Sequence, residues 1–226
     1  MTLLKRTTPR VALIVGLLTG LAALPALAVP PASSVSHTAT FPLGPYLNGG
    51  SYNFPPASVP KFNLAGQCLT SVCIKLAGGS LCDIGFENYQ NTPMIVTVNA
   101  IATITLQRPD LSTLIVVQPT VTTVDTTTTY DGVLDYGGSS GRSYYNLVGA
   151  DTDSLCLSGA GDLALFAGPG SISLPGVAVD GSYQTGASSW SIGPRPYGTI
   201  TVTYNYRDCS VPTAPSTWSR VKRLLP

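Results

Sequence analysis

The clearest pattern along the chain is strict alternation. Between Met94 and Leu106, the residues Met94, Val96, Val98, Ala100, Ala102, Ile104 and Leu106 share one face, and Thr97, Asn99, Thr103 and Thr105 the other. A period of two over that length predicts a strand with one buried face. A second alternation starts at Cys68: Thr70, Val72, Ile74 and Leu76 make the more apolar face, against Leu69, Ser71, Cys73 and Lys75. Gly78-Gly79 predicts a turn. After it Cys82, Ile84 and Phe86 take the even positions, with Asp83 and Glu87 on the odd ones. A two-residue Gly-Gly loop would set Lys75 opposite Cys82. A three-residue loop over 77–79 instead pairs Ile74 with Cys82 and Val72 with Ile84, which keeps the apolar faces together and turns Cys73 away from Cys82.

Shorter runs complete the pattern. Arg108-Pro109-Asp110 predicts a turn. Leu114 to Val117 and Thr120 to Thr129 are β-branched strands divided by Pro119, and Ser171 to Leu174 and Gly176 to Val179 are short strands around Pro175. Thr199 to Tyr206 is a last strand, with Ile200, Val202, Tyr204 and Tyr206 on one face. Phe41 to Pro60 reads as irregular structure or short edge strands. Residues 131–162 are turn-rich, and no amphipathic helix is legible after residue 28. The expected fold is all-β: a single antiparallel β-sandwich, jelly-roll or immunoglobulin-like, preceded by an N-terminal signal helix.

That signal helix rests on order along the chain. Lys5, Arg6 and Arg10 precede an uncharged apolar run from Val11 to Leu24, then Pro25 and Ala26-Leu27-Ala28. This is the layout of a secretory signal peptide cleaved after Ala28. The run is short for a membrane span, and no cysteine follows the cleavage site to carry a lipid. The expected layout is therefore a signal peptide over 1–28, a flexible lead over 29–40, a β-sandwich over 41–206 and a disordered basic tail over 207–226. The tail holds Pro212, Pro215, Arg220, Lys222 and Arg223 without a long apolar run, so no retained transmembrane span is expected. The expected location is secreted, extracellular or at the cell surface.

Composition narrows the function. Only 10% of the 226 residues are charged, against about a quarter in ordinary soluble domains. A single glutamate, Glu87, excludes a Glu- and Lys-rich coiled coil. A hydrophobic fraction of 44% with a net charge of +1 excludes a charged disordered chain and leaves no basic field for nucleic acid. Removing residues 1–28 leaves nine Lys and Arg against eleven Asp and Glu, a net charge of −2. All five cysteines, Cys68, Cys73, Cys82, Cys156 and Cys209, lie in the exported part and are candidates for disulfides. Their odd number leaves at least one outside any intrachain bridge. There is no Cys-x-x-Cys pair, and the single histidine, His37, falls in the expected lead, so no zinc site is assigned.

Catalytic constellations are correspondingly scarce. Ser-His-Asp or Cys-His chemistry would depend on His37, and no serine sits in a Gly-x-Ser-x-Gly elbow. Asp131 with Asp135, or Asp151 with Asp153, could formally serve a glycosidase or Ca²⁺, but Asp in Gly- and Ser-rich segments forms turns, and the twelve-residue Ca²⁺ loop is absent. No catalytic residue, cofactor or metal ligand is assigned. Tyr144-Tyr145 and Trp190 lie in loop-like surroundings and suit a sugar face, whereas Tyr204 and Tyr206 are expected in the core.

Several patches recur in a recognisable order: Val59-Pro60-Lys61-Phe62-Asn63-Leu64, Gly85-Phe86-Glu87-Asn88-Tyr89, Tyr130-Asp131-Gly132, Asp135-Tyr136-Gly137-Gly138, Asp162-Leu163-Ala164-Leu165-Phe166, and Gly198 to Tyr204. Over about residues 38–206 this series resembles the choice-of-anchor E domain family of bacterial exported proteins. The resemblance implies an exported domain joined to one of several surface anchors, often a PEP-CTERM signal, and it supplies no catalytic residues. Here the Pro-Glu-Pro motif and the apolar span of that anchor are missing. The expected function is a non-enzymatic exported sandwich with a cell-surface or extracellular-matrix role. The alternatives are a carbohydrate-binding or adhesion module and, less favoured, a secreted hydrolase. The expected partners are a second copy of the chain or an extracellular polysaccharide.

Overall fold

A computed structural model describes residues 33–209. The expected signal peptide, with Ala28, and the tail beyond Cys209 lie outside the described residues. Ten strands and one short helix follow in order: β1 (Ser33–Phe41), β2 (Ser51–Pro60), β3 (Gln67–Glu87), β4 (Met94–Gln107), β5 (Thr113–Val117), β6 (Thr120–Thr127), β7 (Gly141–Leu157), α1 (Ala160–Phe166), β8 (Ser171–Asp180), β9 (Tyr183–Thr185) and β10 (Ser189–Asp208).

They form two antiparallel sheets. Sheet one runs β1-β10-β3-β7, and sheet two runs β2-β8-β4-β5, with β6 and β9 also paired to β4. β5 and β6 lie end to end along one side of β4, interrupted at Pro119, which cannot donate to the ladder. β8 and β9 likewise lie end to end along its other side. With each broken pair taken as one strand, the sheets run 1-8-3-6 and 2-7-4-5, and successive strands switch sheet except at the hairpin of strands 4 and 5. That connectivity is the jelly roll, the first of the two sandwich types expected.

The alternation in the sequence marks the core. Val96, Val98, Ala100, Ala102, Ile104 and Leu106 of β4 are buried, as are Val72, Ile74 and Leu76 of β3 and Ile200, Val202 and Tyr204 of β10. The larger core cluster gathers around these β3 and β10 residues with Phe41, Phe166 and Leu174. A smaller one, of Cys82, Ile84, Phe86, Val96, Val98, Ala100 and Ile192, fills the other end. Tyr204 meets its polar need in the core by donating to the Pro60 carbonyl at 2.7 Å.

Five expectations are corrected. Gly78-Gly79 is not a turn: β3 runs straight through it, paired with β10 along its whole length. Even positions face inward on both sides of the glycines because one uninterrupted strand keeps parity. The glycines are there for close approach. A Cβ on Gly78 would collide with Val117 of sheet two, and one on Gly79 would fall into the Tyr197 ring. Second, the lead begins its strand early. Ser33–Phe41 pairs with β10, so His37 sits opposite Val202 rather than in a flexible segment. Third, much of 131–162 is the 17-residue strand β7, and Asp151 and Asp153 lie on it. Its alternation is hidden because it is a mostly exposed edge strand. Fourth, a seven-residue helix, α1, occupies 160–166. Fifth, Arg207 and Asp208 end β10 and Cys209 is bridged, so the expected tail over 207–226 does not begin at 207.

Two disulfides fasten sheet one. Cys73 on β3 is bridged to Cys156, its register partner on β7, and Cys68 is bridged to Cys209 just past β10. Such bonds belong to an oxidising environment. Cys82 is free and fully buried, so the odd thiol is closed to a bond between folded chains. Burial also pushes it up from its ordinary pKa. Among the described residues no helix is long and apolar enough to cross a membrane.

Candidate functional site

At the end of sheet one remote from the disulfides, the outer face carries a groove. Its floor comes from adjacent positions of three strands: Asp83 and Gly85 on β3, Ser191 and Gly193 on β10, and Ser143 on β7. Two loops supply its walls. Tyr46 and Asn48 come from the segment between β1 and β2, and Tyr136 from the segment between β6 and β7. The hollow holds about 290 Å³.

Glycine explains why two rings lie flat on a strand surface. A Cβ on Gly193 would sit 2.6 Å from Tyr46 Cδ1, and one on Gly85 would sit 3.2 Å from Tyr136 Cγ. Each glycine leaves room for a tyrosine ring against the backbone. Tyr46 is further held by its hydroxyl, which donates to Asp83 Oδ2 at 2.5 Å, and by the Arg195 guanidinium 5.2 Å from its ring centre. Backbone bonds from Gly44 to Pro196 and from Leu47 to Pro194 tie its loop to β10. The Tyr136 hydroxyl lies 3.2 Å from Ser189 Oγ, and Ser143 Oγ donates to the Tyr136 carbonyl at 2.8 Å.

A bulge aims the third ring. Cys82 pairs with Leu147 and Ile84 with Tyr144, so Tyr145 and Asn146 together face Asp83. The extra residue twists the strand and leaves Tyr145 70% exposed at the rim. The Asn146 amide donates to Asp83 Oδ1 at 2.9 Å. The Tyr46 hydrogen bond, then the Asn146 amide, hold the Asp83 carboxyl below the ordinary carboxylate range. The same Tyr46–Asp83 bond pushes the Tyr46 phenol up.

Backbone strain gathers here as well. Among the described residues four non-glycine positions have positive φ: Asn48 at 45°, Leu111 at 69°, Tyr136 at 53° and Asn146 at 56°. Three of the four build this groove. Asn tolerates the left-handed region, but a tyrosine there costs energy that the surrounding structure must offset, and such residues concentrate at working sites.

A second hollow of about 410 Å³ adjoins the first and shares Asn48 and Ser191 with it. Trp190, Asp180 and Ser182 line it, and Trp190 is 48% exposed. Tyr145 and Trp190, singled out from sequence, thus stand at two adjoining hollows. Tyr144 does not join them: it packs on the smaller core, and its hydroxyl donates to Asp125. Tyr46, Asn48, Asp83 and Tyr136 were not legible as site residues. The available signal was glycine inside two strands, at 85 and 193.

The other sequence candidates stay apart from the groove. His37 lies on β1 with its ring 5.8 Å from that of Tyr204. Asp151 accepts from the amides of Gln118 and Thr152, Asp153 from Ser154, Asp131 from Val133 and Asp135 from Gly137. Among the described residues no three His, Cys, Asp or Glu side chains gather as metal ligands do.

No family model matches the chain, and no curated protein matches it. Among solved structures it is similar to infectious bursal disease virus, Gt strain, at 14% identity and a TM-score of 0.24, covering 80% of this chain and 37% of that one. A second is the VP2 subviral particle of that virus, at 15% identity and a TM-score of 0.22, covering 84% and 42%. The chain spans less than half the length of either.

Proposed function

We propose that this chain is an exported, non-enzymatic β-sandwich of the choice-of-anchor E kind. It works at the cell surface or in an extracellular matrix and holds polysaccharide in the groove of sheet one. The observation that carries the reading is the convergence of three tyrosine rings, Tyr46, Tyr136 and Tyr145, on a polar floor built with two strand glycines and three residues of left-handed backbone. Flat rings suit the C–H faces of pyranose units. Asp83, Asn48, Ser143 and Ser191 offer acceptors and donors for the hydroxyls at their edges. The two adjoining hollows suit a chain of sugars better than a single one. Two disulfides and the low charge fit an exported setting.

The groove offers no nucleophile paired with a base. Its one carboxylate, Asp83, is committed to Tyr46 and Asn146, so binding without turnover is the chemistry its residues suit. A glycan array and pull-down on insoluble polysaccharides test the reading. Retention of wild-type protein on at least one neutral or weakly acidic glycan is expected. No retention at high protein concentration would remove it. Self-association is a second reading, favoured by the threonine-rich edge strand β6 with its alternately exposed positions. Sizing chromatography across concentration tests that reading, and a strict monomer would exclude it.

A further inference from the structure

The single glutamate of the chain has no partner. Glu87 is 0% exposed, and neither carboxylate oxygen has a hydrogen bond. It follows Asp83 and Gly85 along the outer face of β3, and the turn 137–141 covers it. Its register partner is Gly141. The place a Cβ on Gly141 would take is occupied by Glu87 Oε2, and the Gly137 N and O atoms lie 2.6 and 2.8 Å from that place. The carboxylate is therefore aimed into the turn.

The surroundings do not neutralise it. Arg142, the base that directly follows the turn, points its guanidinium at the carbonyls of Gly138 and Gly141. The ion pair found among the described residues is Arg108–Asp162, elsewhere in the fold. Around the same turn lie more acids. Asp131 Oδ2 takes the space beside Gly138, and Asp135 Oδ1 accepts from the Gly137 amide. Buried Asn88 and Ser140 are already bonded: Asn88 Nδ2 donates to the carbonyls of Thr92 and Thr128, and the Asn88 amide donates to the Ser140 carbonyl. A buried, unpaired carboxylate is expensive unless it ionises against a cation or takes a proton.

We propose that Glu87 binds a hard divalent cation of the Ca²⁺ type beneath the turn 137–141. Glu87 supplies the carboxylate, water and the second lone pairs of the turn carbonyls, each of which already accepts one hydrogen bond, supply the remaining ligands, and Asp131 and Asp135 add negative charge around it. Ca²⁺ takes six to eight oxygens in flexible geometry and accepts carbonyls and water among them, so a trio of clustered side chains is not required. The turn also carries Tyr136, so the ion would hold one wall of the groove. The proposal stands whether or not the groove binds sugar.

The test uses the full exported chain, stripped with EDTA and titrated with CaCl₂, MgCl₂ and TbCl₃. Ca²⁺ at a hundredfold excess over Kd raises the melting temperature by about 5–10 °C, and Tb³⁺ luminescence is sensitised by the neighbouring tyrosines. Glu87→Gln, a neutral near-isostere, stays folded and loses both signals. No shift and no luminescence in wild type would overturn the proposal, as would equal signals in Glu87→Gln. A Glu87→Gln protein that melts above the stripped wild type, with Ca²⁺ without effect on either, would mean a protonated carboxyl and overturn it too. Should Glu87→Gln fail to fold, the Ca²⁺ and Tb³⁺ signals of wild type alone decide.

Discussion

The ribbon formed by β3 and β10 is built differently at its two ends. Near Cys68 and Arg207 the chain is bridged twice by disulfides, and the larger core packs Phe41, Phe166 and Tyr204 beneath it. Near Glu87 and Ser189 no disulfide is present among the described residues. The core there is smaller, two loops lie across the outer face, and three residues of left-handed backbone gather, the strained Tyr136 among them. One pair of strands thus serves as anchor at one end and platform at the other. Rigidity invested at the bridged end lets the other carry strain without unfolding.

The comparison breaks first at the disulfides. The loops they close span 141 and 83 residues, and each cross-link is worth about 4–5 kcal/mol on chain-entropy grounds. Cys73→Ser/Cys156→Ser is expected to lower the melting temperature by at least 10 °C while leaving glycan retention intact at low temperature. Calorimetry with a parallel retention assay checks both halves. A smaller loss comes from Gly176→Ala, whose Cβ would strike the Phe41 ring between the sheets. About 2 kcal/mol of overpacking is expected, read as a lower urea midpoint at unchanged slope. Tyr204→Phe leaves the Pro60 carbonyl without its donor and should cost about 1–2 kcal/mol, again with no effect at the groove.

The smallest effect concerns pH. Asp83 is held below its ordinary value, so its bond to Tyr46 persists as pH falls through the unfolded carboxylate range and is lost only near the lowered folded pKa. Tyr46 is pushed above its ordinary value, so the bond persists as pH rises through about 10. Retention should be flat from about pH 5 to 9, and a titration within that window would contradict the assigned contact.

The two ends also differed in how legible they were. β4 could be read because one of its faces is wholly buried and the other carries threonine. β3 was read correctly in parity and wrongly in course: paired glycines mark tight turns and also close approach of backbone to neighbours, and parity alone does not separate these. β7 escaped because an exposed edge strand need not alternate. The groove was half-visible. Tyr145 and Trp190 were singled out as aromatics in polar surroundings. Tyr46, Tyr136 and Asp83 meet there only because the jelly roll lays two distant loops across the same strands.

Affinity for a retained glycan, compared between wild type and Tyr46→Ala/Tyr145→Ala, tests the central claim most directly. Both side chains are well exposed, at 44% and 70%, so the double variant should stay folded, with the melting temperature lowered by about 2–6 °C for the lost Tyr46–Asp83 bond. Loss of two stacking contacts predicts binding weaker by about ten- to thirtyfold. Unchanged affinity in a folded double variant would contradict the groove as the binding site.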